Sequence, residues 1–139
     1  MEGTFRCFSE ESRKRTGEAI KRYADETAKA YRAEAEVSIV EAMPATINDP
    51  AVADTVKTVA EKVVGPENLV YQDKTTGSED MAYYLQKIPG AIAFVGSGYV
   101  EEGLTFPHHH PKFNINEESL ANGTALYFGF AVEYLGQNS

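Results

Sequence analysis

The longest periodic pattern in the chain lies between residues 16 and 31, where apolar and weakly polar side chains recur at steps of three and four. This spacing puts them on one face and predicts a long amphipathic helix. Ser9 is suited to cap its N-terminus, and the acidic residues that follow suit the positive end of the helix dipole. We expect the helix to run to about Ala35. The face consists of Thr16, Ala19, Ile20, Tyr23, Ala24, Thr27, Ala28 and Tyr31.

Four valines indicate a second helix, which follows a linker at residues 44–50 that contains two prolines. Asp49 can cap this helix, and Pro50 suits its first position because a proline has no amide hydrogen to leave unpaired. Gly65 and Pro66 predict its end. The valines are Val52, Val56, Val59 and Val63.

Two more helices are predicted in the second half of the chain. A polar loop leads into a short helix from Met81 to about Lys87, which Ser78 or Asp80 would cap. Asn116 is placed to cap a final helix. Leu120, Tyr127, Ala131 and Tyr134 lie near one face of that final helix.

Four short segments have the composition of β strands: residues 3–8, 37–42, 69–71 and 91–95. The last is an unbroken apolar run, typical of a strand covered on both faces. The resulting order, β-α-β, linker, α-β-α-β, loop, α, favours an α/β layer in the second half. The first half leaves sheet edges without partners and is too short for a domain. We therefore interpret the chain as a fragment of a longer protein.

Composition narrows the possible functions. The formal net charge of −8 argues against general nucleic-acid binding, because phosphate contacts need clustered cations. No apolar run approaches the ~18–20 residues of a membrane span. The single cysteine excludes an internal disulfide. We expect a cytoplasmic protein with neither a nucleic-acid nor a membrane partner.

All three histidines are consecutive, at residues 108–110, in a long loop between two prolines. One interpretation is a polar surface loop with three solvated imidazoles. The other is a metal ligand, since neutral imidazole is a common zinc ligand. Neighbouring side chains on an extended chain point in different directions, so at most one or two could reach a single ion. A closed site needs three or four ligands, which argues against an autonomous zinc site here.

Arg6 and the turn at Gly77 and Ser78 are the other candidates, and each has a structural alternative. Arg6 is either a surface charge or a forked guanidinium for a substrate carboxylate. Gly77 would let the backbone approach a ligand, whereas Ser78 could simply cap the helix that follows.

Several short segments, taken in order, resemble the metal-dependent amidohydrolases of the aminoacylase and carboxypeptidase superfamily, in the branch of hippurate hydrolases, N-acyl-amino-acid amidohydrolases and indole-acetyl-amino-acid hydrolases. Each is weak alone, but their order and spacing from residue 3 to about residue 135 are specific. The segments are Gly3-Thr4-Phe5-Arg6, Ile47-Asn48-Asp49, Gly77-Ser78-Glu79-Asp80-Met81-Ala82, Ile88-Pro89-Gly90, Phe94-Val95-Gly96 and His108-His109-His110-Pro111-Lys112-Phe113 followed by Asn116-Glu117 and Leu120.

The resemblance implies an α/β fold: residues 1–47 as the second half of an α+β lid, and residues 48–139 as the C-terminal part of a zinc-peptidase-like catalytic domain. It implies cleavage of the amide bond of N-acyl amino acids or small amides, with zinc, manganese or cobalt as cofactor. His109 matches the last metal ligand, Arg6 a substrate-carboxylate group, and Gly77 and Ser78 a pocket loop.

The same resemblance implies that the other metal ligands and the catalytic glutamate belong upstream of this chain. We therefore expect no complete metal site and no activity from the chain alone, and a homo-oligomer formed through the lid sheet. The alternative is a non-catalytic interaction or dimerisation module derived from the same fold.

Overall fold

The computed structural model describes residues 1–99, 101, 103 and 105–137. Its regular elements are α1 (Glu10–Ala30), α2 (Pro50–Val64), a 3₁₀ turn (Pro66–Asn68), α3 (Met81–Leu85) and α4 (Ser119–Gln137). The chain divides into two compact units. Unit 1 contains Met1–Ile47 and Gln72–Ile88, and unit 2 contains Asn48–Tyr71 and Pro89–Ser139.

The start of α1 confirms the predicted cap. The Ser9 side chain accepts a hydrogen bond from the amide of Ser12 at 3.1 Å, which satisfies one of the helix-start donors. Glu10 and Arg13 form an ion pair across the first turn, and Arg13 also pairs with Glu41. Those two ion pairs are formed by side chains on the solvent-facing part of unit 1.

The end of α1 corrects the prediction that the helix runs to about Ala35, because it stops at Ala30. Arg32 has a φ of +56°, and the amide of Ala33 donates to the carbonyl of Ala28 at 2.9 Å. This backward hydrogen bond is the signature of a Schellman end, which glycine usually forms. Because arginine, unlike glycine, does not indicate a helix end, the sequence did not predict this stop.

Gly17 is a position where other parts of unit 1 pack against α1. A Cβ atom at this position would lie 3.5 Å from Cδ1 of Ile39 and 3.9 Å from Cζ of Phe5. Residues 3–8 and 37–42 therefore both place a side chain against the same turn of the helix.

Unit 2 is built on the packing of α2 against α4. The predicted ends of α2 are confirmed: Asp49 caps its first turn by accepting from the amide of Val52 at 3.0 Å, and Gly65 ends it with a φ of +85°. Val52 and Val59 are buried, and so is Thr55, whose hydroxyl bonds to a carbonyl of the preceding turn. The buried face thus includes a threonine that the valine pattern did not predict.

α4 meets α2 at Gly129, a residue outside the apolar face singled out from the sequence. A Cβ atom at Gly129 would lie 2.6 Å from Cγ1 of Val59. The four residues of the predicted face, Leu120, Tyr127, Ala131 and Tyr134, are all exposed. Gly129 is the position at which the two helices approach too closely for a side chain.

The caps predicted for the last two helices need correction. Asp80 does occupy the N-cap position of α3, but neither its side chain nor that of Ser78 makes a capping bond; Oε1 of Glu79 accepts from the amide of Met81 at 3.2 Å. Asn116 does accept from a backbone amide, that of Glu118 at 3.0 Å, but α4 begins only at Ser119.

Within the described residues there is no β strand, so the four predicted strands are not formed. Residues 3–8, 37–42, 69–71 and 91–95 all lie outside the helices. A strand exists only where its backbone groups pair with those of a neighbour. The described parts of the chain supply no such neighbour.

Surface area shows how little of the chain is covered. The accessible surface is 11,693 Å², whereas two separate compact domains that together have this mass would expose about 8,600 Å². Besides Thr55, the buried residues among those described are Val52, Val59 and Ala82. The accessible surface exceeds even the sum expected for two separate compact domains. The excess therefore does not depend on how the two units are arranged.

Large apolar side chains account for much of this exposure. Tyr127, Phe128 and Leu135 on α4 are more than half exposed, and so are Val40 and Val70 on the extended segments. Exposed apolar surface of this extent usually marks a surface that another chain or segment covers. Within the described part of the chain, no helix combines the length and the apolarity needed to cross a bilayer.

Candidate functional site

The candidate site residues lie in both units. Arg6, Gly77 and Ser78 belong to unit 1, and His109 belongs to unit 2. The geometry of each group is therefore described within its own unit.

His109 lies in a segment that we call the histidine loop, residues 105–116. Two backbone hydrogen bonds fold its centre into consecutive turns. The amide of His110 donates to the carbonyl of Pro107 at 3.1 Å, and the amide of Phe113 donates to the carbonyl of His110 at 2.8 Å. The prolines on both sides of the histidine run restrict the backbone that enters and leaves these turns.

Two of the three histidine rings are engaged by their neighbours. The ring of His110 stacks on Phe106 at a centroid distance of 4.6 Å, and its Nδ1 accepts from the amide of Lys112 at 3.1 Å. The ring of His108 meets Phe113 edge-on at 5.1 Å. Because Nδ1 of His110 is an acceptor, the neutral ring carries its proton on Nε2, which leaves no free lone pair for a metal.

His109 differs from both neighbours. It is exposed, and its imidazole makes neither a hydrogen bond nor a ring contact with any other described residue. Its backbone is left-handed, with a φ of +68°. Histidine is among the few non-glycine residues enriched in this conformation. Of the three histidines, only His110 has a ring nitrogen engaged in a described hydrogen bond, and His109 is the one whose ring makes no described contact of either kind.

The two ends of the histidine loop are tied to residues 97–99. Near the start, Oγ1 of Thr105 donates to the carbonyl of Tyr99 at 3.0 Å. Near the end, the Tyr99 hydroxyl donates to the carbonyl of Ile115 at 2.9 Å, and the amide of Asn116 donates to the carbonyl of Ser97 at 2.7 Å. The loop that carries His109 is thus closed at its base.

In unit 1, Arg6 is exposed and donates a hydrogen bond from Nη1 to the hydroxyl of Thr4 at 3.0 Å. The side chains two apart on an extended segment share one face, so this bond orients the guanidinium along residues 3–8. The remaining donors of Arg6 are open to solvent, and a guanidinium fork can hold a carboxylate with two parallel bonds.

Gly77 and Ser78 lie on a stretch, residues 71–80, that is exposed throughout. Gly77 has open space around the position of a Cβ atom, so nothing in the structure requires a glycine there. The hydroxyl of Ser78 makes no hydrogen bond within the described residues, and Asp80 holds the N-cap position of α3. Ser78 therefore does not cap that helix.

Metal binding by the described residues alone would be incomplete. They contain no group of three or more histidine, cysteine, aspartate or glutamate side chains placed to hold an ion. His109 offers a suitable imidazole donor, but a zinc ion needs three or four protein ligands. The residues present fit one corner of a metal site and not a whole site.

The charged groups with displaced pKa values form surface pairs. In unit 2, hydrogen bonding to Tyr71 raises the pKa of Lys57. A hydrogen bond from Lys62 lowers the pKa of Glu133, and that pair joins α2 to α4 at 2.8 Å. These displacements arise from surface contacts that stabilise the folded units.

Sequence reasoning did not single out two residues that hold unit 2 together through long-range hydrogen bonds. Tyr99 joins the two ends of the histidine loop, and Asn48 lies in the linker at residues 44–50. Asn48 binds the backbone of Ile92 through both ends of its amide, at 2.9 and 3.0 Å. The partners of these side chains are 16 and 44 positions away along the chain, so no local pattern indicates them.

Comparisons with known proteins give one family match and several relatives. A family model described as "Peptidase family M20/M25/M40" matches residues 3–133. A protein named "Putative amidohydrolase YhaA" from Bacillus subtilis is 30% identical over 132 residues, which is 95% of this chain and 33% of that protein.

Two further relatives carry named activities. "IAA-amino acid hydrolase ILR1-like 4" from Arabidopsis thaliana is 34% identical over 137 residues, 96% of this chain and 31% of that protein. "N-acetylcysteine deacetylase" from Bacillus subtilis is 32% identical over 132 residues, 95% of this chain and 33% of that protein. The chain spans about a third of the length of each of these relatives.

Proposed function

The chain belongs to Peptidase family M20/M25/M40, and we propose that it is the histidine-bearing part of a metal-dependent amidohydrolase that cleaves the amide bond of N-acyl amino acids. The observation that carries the proposal is His109, an exposed imidazole without a partner among the described residues, held in a closed loop. The names of the relatives support the reaction class, since they include an amidohydrolase, an amino-acid-conjugate hydrolase and a deacetylase.

In this proposal His109 supplies one ligand to a divalent ion: zinc, manganese or cobalt. Such an ion, when bound, provides Lewis acidity and lowers the pKa of a coordinated water. A neutral imidazole suits zinc, whereas manganese prefers oxygen ligands such as carboxylate and water. The other ligands and the general base lie outside this chain, and we therefore expect no hydrolysis by the chain alone.

Arg6 and the stretch at Gly77 and Ser78 form the substrate-binding part of the proposal. The open donors of Arg6 suit the free carboxylate of an N-acyl amino acid. The unpartnered hydroxyl of Ser78 and the open backbone at Gly77 suit contact with the rest of a small amide substrate.

The proposal extends to the fold and the assembly. In a full-length enzyme, residues 1–47 would complete an α+β lid and residues 48–139 would complete the α/β catalytic domain. Residues 3–8 and 37–42 would become strands once a neighbour supplies their backbone partners. We propose that the lid sheet also joins two copies of the protein, in line with the exposed apolar side chains of these segments.

One experiment tests the metal assignment on the chain as it is. Titrating Mn²⁺ while recording NMR spectra should broaden the imidazole signals of His109 before those of His108 and His110. His109→Asn tolerates the left-handed backbone and should remove the preferential effect, with His108→Asn as the matched control. Equal broadening of all three rings would overturn the assignment of His109.

The activity itself is tested with N-acetyl and N-benzoyl amino acids, by measuring the released amine with and without zinc, manganese or cobalt. We expect no release from the chain alone. If it does hydrolyse these substrates and His109→Asn leaves the rate intact, the ligand assignment is wrong.

A second candidate function is a non-catalytic interaction or dimerisation module. The large uncovered surface favours it, because such a surface needs a partner to be stable in water. Light scattering at increasing concentration tests the dimer that both candidates predict, and the Mn²⁺ effect at His109 separates them. A dimer that shows no Mn²⁺ effect supports the module, and a dimer that shows the effect supports the enzyme fragment.

A further inference from the structure

Tyr99 joins the two ends of the histidine loop. Its carbonyl accepts from the hydroxyl of Thr105 at 3.0 Å, and its own hydroxyl donates to the carbonyl of Ile115 at 2.9 Å. Asn114 adds a longer bond from its side-chain amide to the Tyr99 hydroxyl, at 3.4 Å. A single residue thus binds both the first residue of the loop and its next-to-last residue.

The burial of Tyr99 fits this role. It is part-buried, whereas Tyr23, Tyr31, Tyr71 and Tyr127 are all at least two-thirds exposed. A part-buried tyrosine normally uses its hydroxyl in a hydrogen bond, because the lost water contact must be replaced. The bond to Ile115 is therefore a structural contact rather than a chance approach of a surface side chain.

Close packing at the start of the loop supports the same conclusion. Cγ2 of Thr105 lies 3.0 Å from the position that a Cβ atom of Gly98 would occupy. The absence of a side chain at Gly98 is what lets Thr105 approach the carbonyl of Tyr99. A side chain at Gly98 would press on Thr105 and move it relative to the carbonyl of Tyr99.

The hydrogen bonds that join the ends of the histidine loop also limit the conformation of the two turns inside it, which contain His109. Both inner hydrogen bonds, from the amide of His110 and from the amide of Phe113, span or adjoin the histidine run. Fixing the ends of a loop removes many of its alternative conformations, which favours whichever internal turns the closed loop permits. His109, with its left-handed backbone, lies within the first of these turns.

We propose that Tyr99 is a positioning residue, which fixes the backbone of His109 by binding both ends of the histidine loop. The proposal rests on the proposed function for its consequence, since a preorganised ligand loses less conformational freedom when it binds an ion. Metal ligands depend in general on the groups that orient them.

The first test needs no metal. Tyr99→Phe removes the hydroxyl and keeps the ring, and Tyr127→Phe removes the hydroxyl of an exposed tyrosine in the same unit as a matched control. Losing one such bond should speed hydrogen exchange at the amides of His110 and Phe113 about tenfold, while the amides of α2 stay unchanged. We call the two bonds of Tyr99 to the ends of the histidine loop the clamp. Exchange rates equal to those of Tyr127→Phe would overturn the proposal that this clamp exists.

The other end of the clamp gives an independent check in case Tyr99→Phe fails to fold. Thr105→Val removes the hydroxyl that binds Tyr99, and Thr105→Ser restores a hydroxyl with a smaller side chain. The valine variant should show the faster exchange and the serine variant should recover slow exchange. Equal exchange in both variants counts against the clamp.

The second test joins the clamp to the metal. The Mn²⁺ concentration that broadens His109 should rise several-fold in Tyr99→Phe and stay unchanged in Tyr127→Phe. If the loop loosens but this concentration does not move, Tyr99 does not position His109. If Mn²⁺ leaves His109 unaffected even in the unaltered chain, the proposed function fails, and hydrogen exchange alone decides whether the clamp exists.

Discussion

The side-chain amide of Asn48 forms two hydrogen bonds with the backbone of Ile92, accepting from its amide at 2.9 Å and donating to its carbonyl at 3.0 Å. Beside it, the amide of Asp49 donates to the carbonyl of Gly90 at 2.8 Å. The side chain of Asn48 thus takes the place that a neighbouring strand would hold. These three bonds fix residues 90–92 beside the first turn of α2.

Asn48→Asp should weaken unit 2. The carboxylate keeps an acceptor for the amide of Ile92 but faces its carbonyl without a donor, and we expect a loss of about 1–2 kcal/mol in the free energy of unfolding. Urea unfolding with a probe on α2 measures it. Asn122→Asp adds the same charge at an exposed site and is the control; equal losses in both variants would show that the two bonds contribute nothing.

Gly129→Ala should destabilise the contact between α2 and α4. Its Cβ atom would lie 2.6 Å from Cγ1 of Val59, which is buried, so the helices must separate or Val59 must shift. Overpacking of this kind costs about 1–3 kcal/mol. Gly136→Ala has open space around its Cβ atom and should instead stabilise α4 by about 0.5–1 kcal/mol.

Thermal unfolding of the two alanine variants provides the measurement. The result expected is a lower midpoint for Gly129→Ala and a slightly higher one for Gly136→Ala. A raised midpoint for both would mean that helix propensity outweighs the contact with Val59.

Acid should weaken unit 2 through Glu133. Lys62 donates to Oε2 of Glu133 at 2.8 Å and holds the pKa of that carboxyl below its usual range. The ionised form is therefore favoured by folding, and the contribution is present above the pKa of the unfolded chain. It is lost as the pH falls through the lowered pKa of the folded chain.

Urea midpoints measured between about pH 5 and pH 3, the range in which a glutamate titrates, should thus fall less steeply in Glu133→Gln than in the unaltered chain. Glu118→Gln removes a carboxylate that makes no ion pair with another described residue and should keep the original slope. Identical slopes in all three proteins would remove Glu133 from the account of acid sensitivity.

Helix ends were predictable from the sequence where the chain uses the common signals. Asp49, Pro50 and Gly65 give α2 its bounds, and Ser9 gives α1 its start, because each satisfies or replaces a backbone group within a few residues. The end of α1 was missed because Arg32 occupies a left-handed position that glycine normally signals.

The rest depends on contacts between distant positions. The packed side of α4 was missed because Gly129, which carries no hydrophobic signal, makes the contact with Val59. A strand forms only where a neighbouring segment pairs with its backbone. The periodicity of one segment does not reveal whether that neighbour is present, so the absence of strands was missed. For the site, the histidine run was visible in the sequence, but the engagement of His108 and His110 by their neighbours was not.

The left-handed backbone of His109 limits which residues can replace it over generations of mutation. With a φ of +68°, the position is cheap for glycine and accessible to asparagine, aspartate and histidine, and strained for most others. Of these four, only histidine and aspartate are common ligands of zinc. If the position must bind an ion and keep its turn, natural selection can accept only two residue types there, histidine and aspartate.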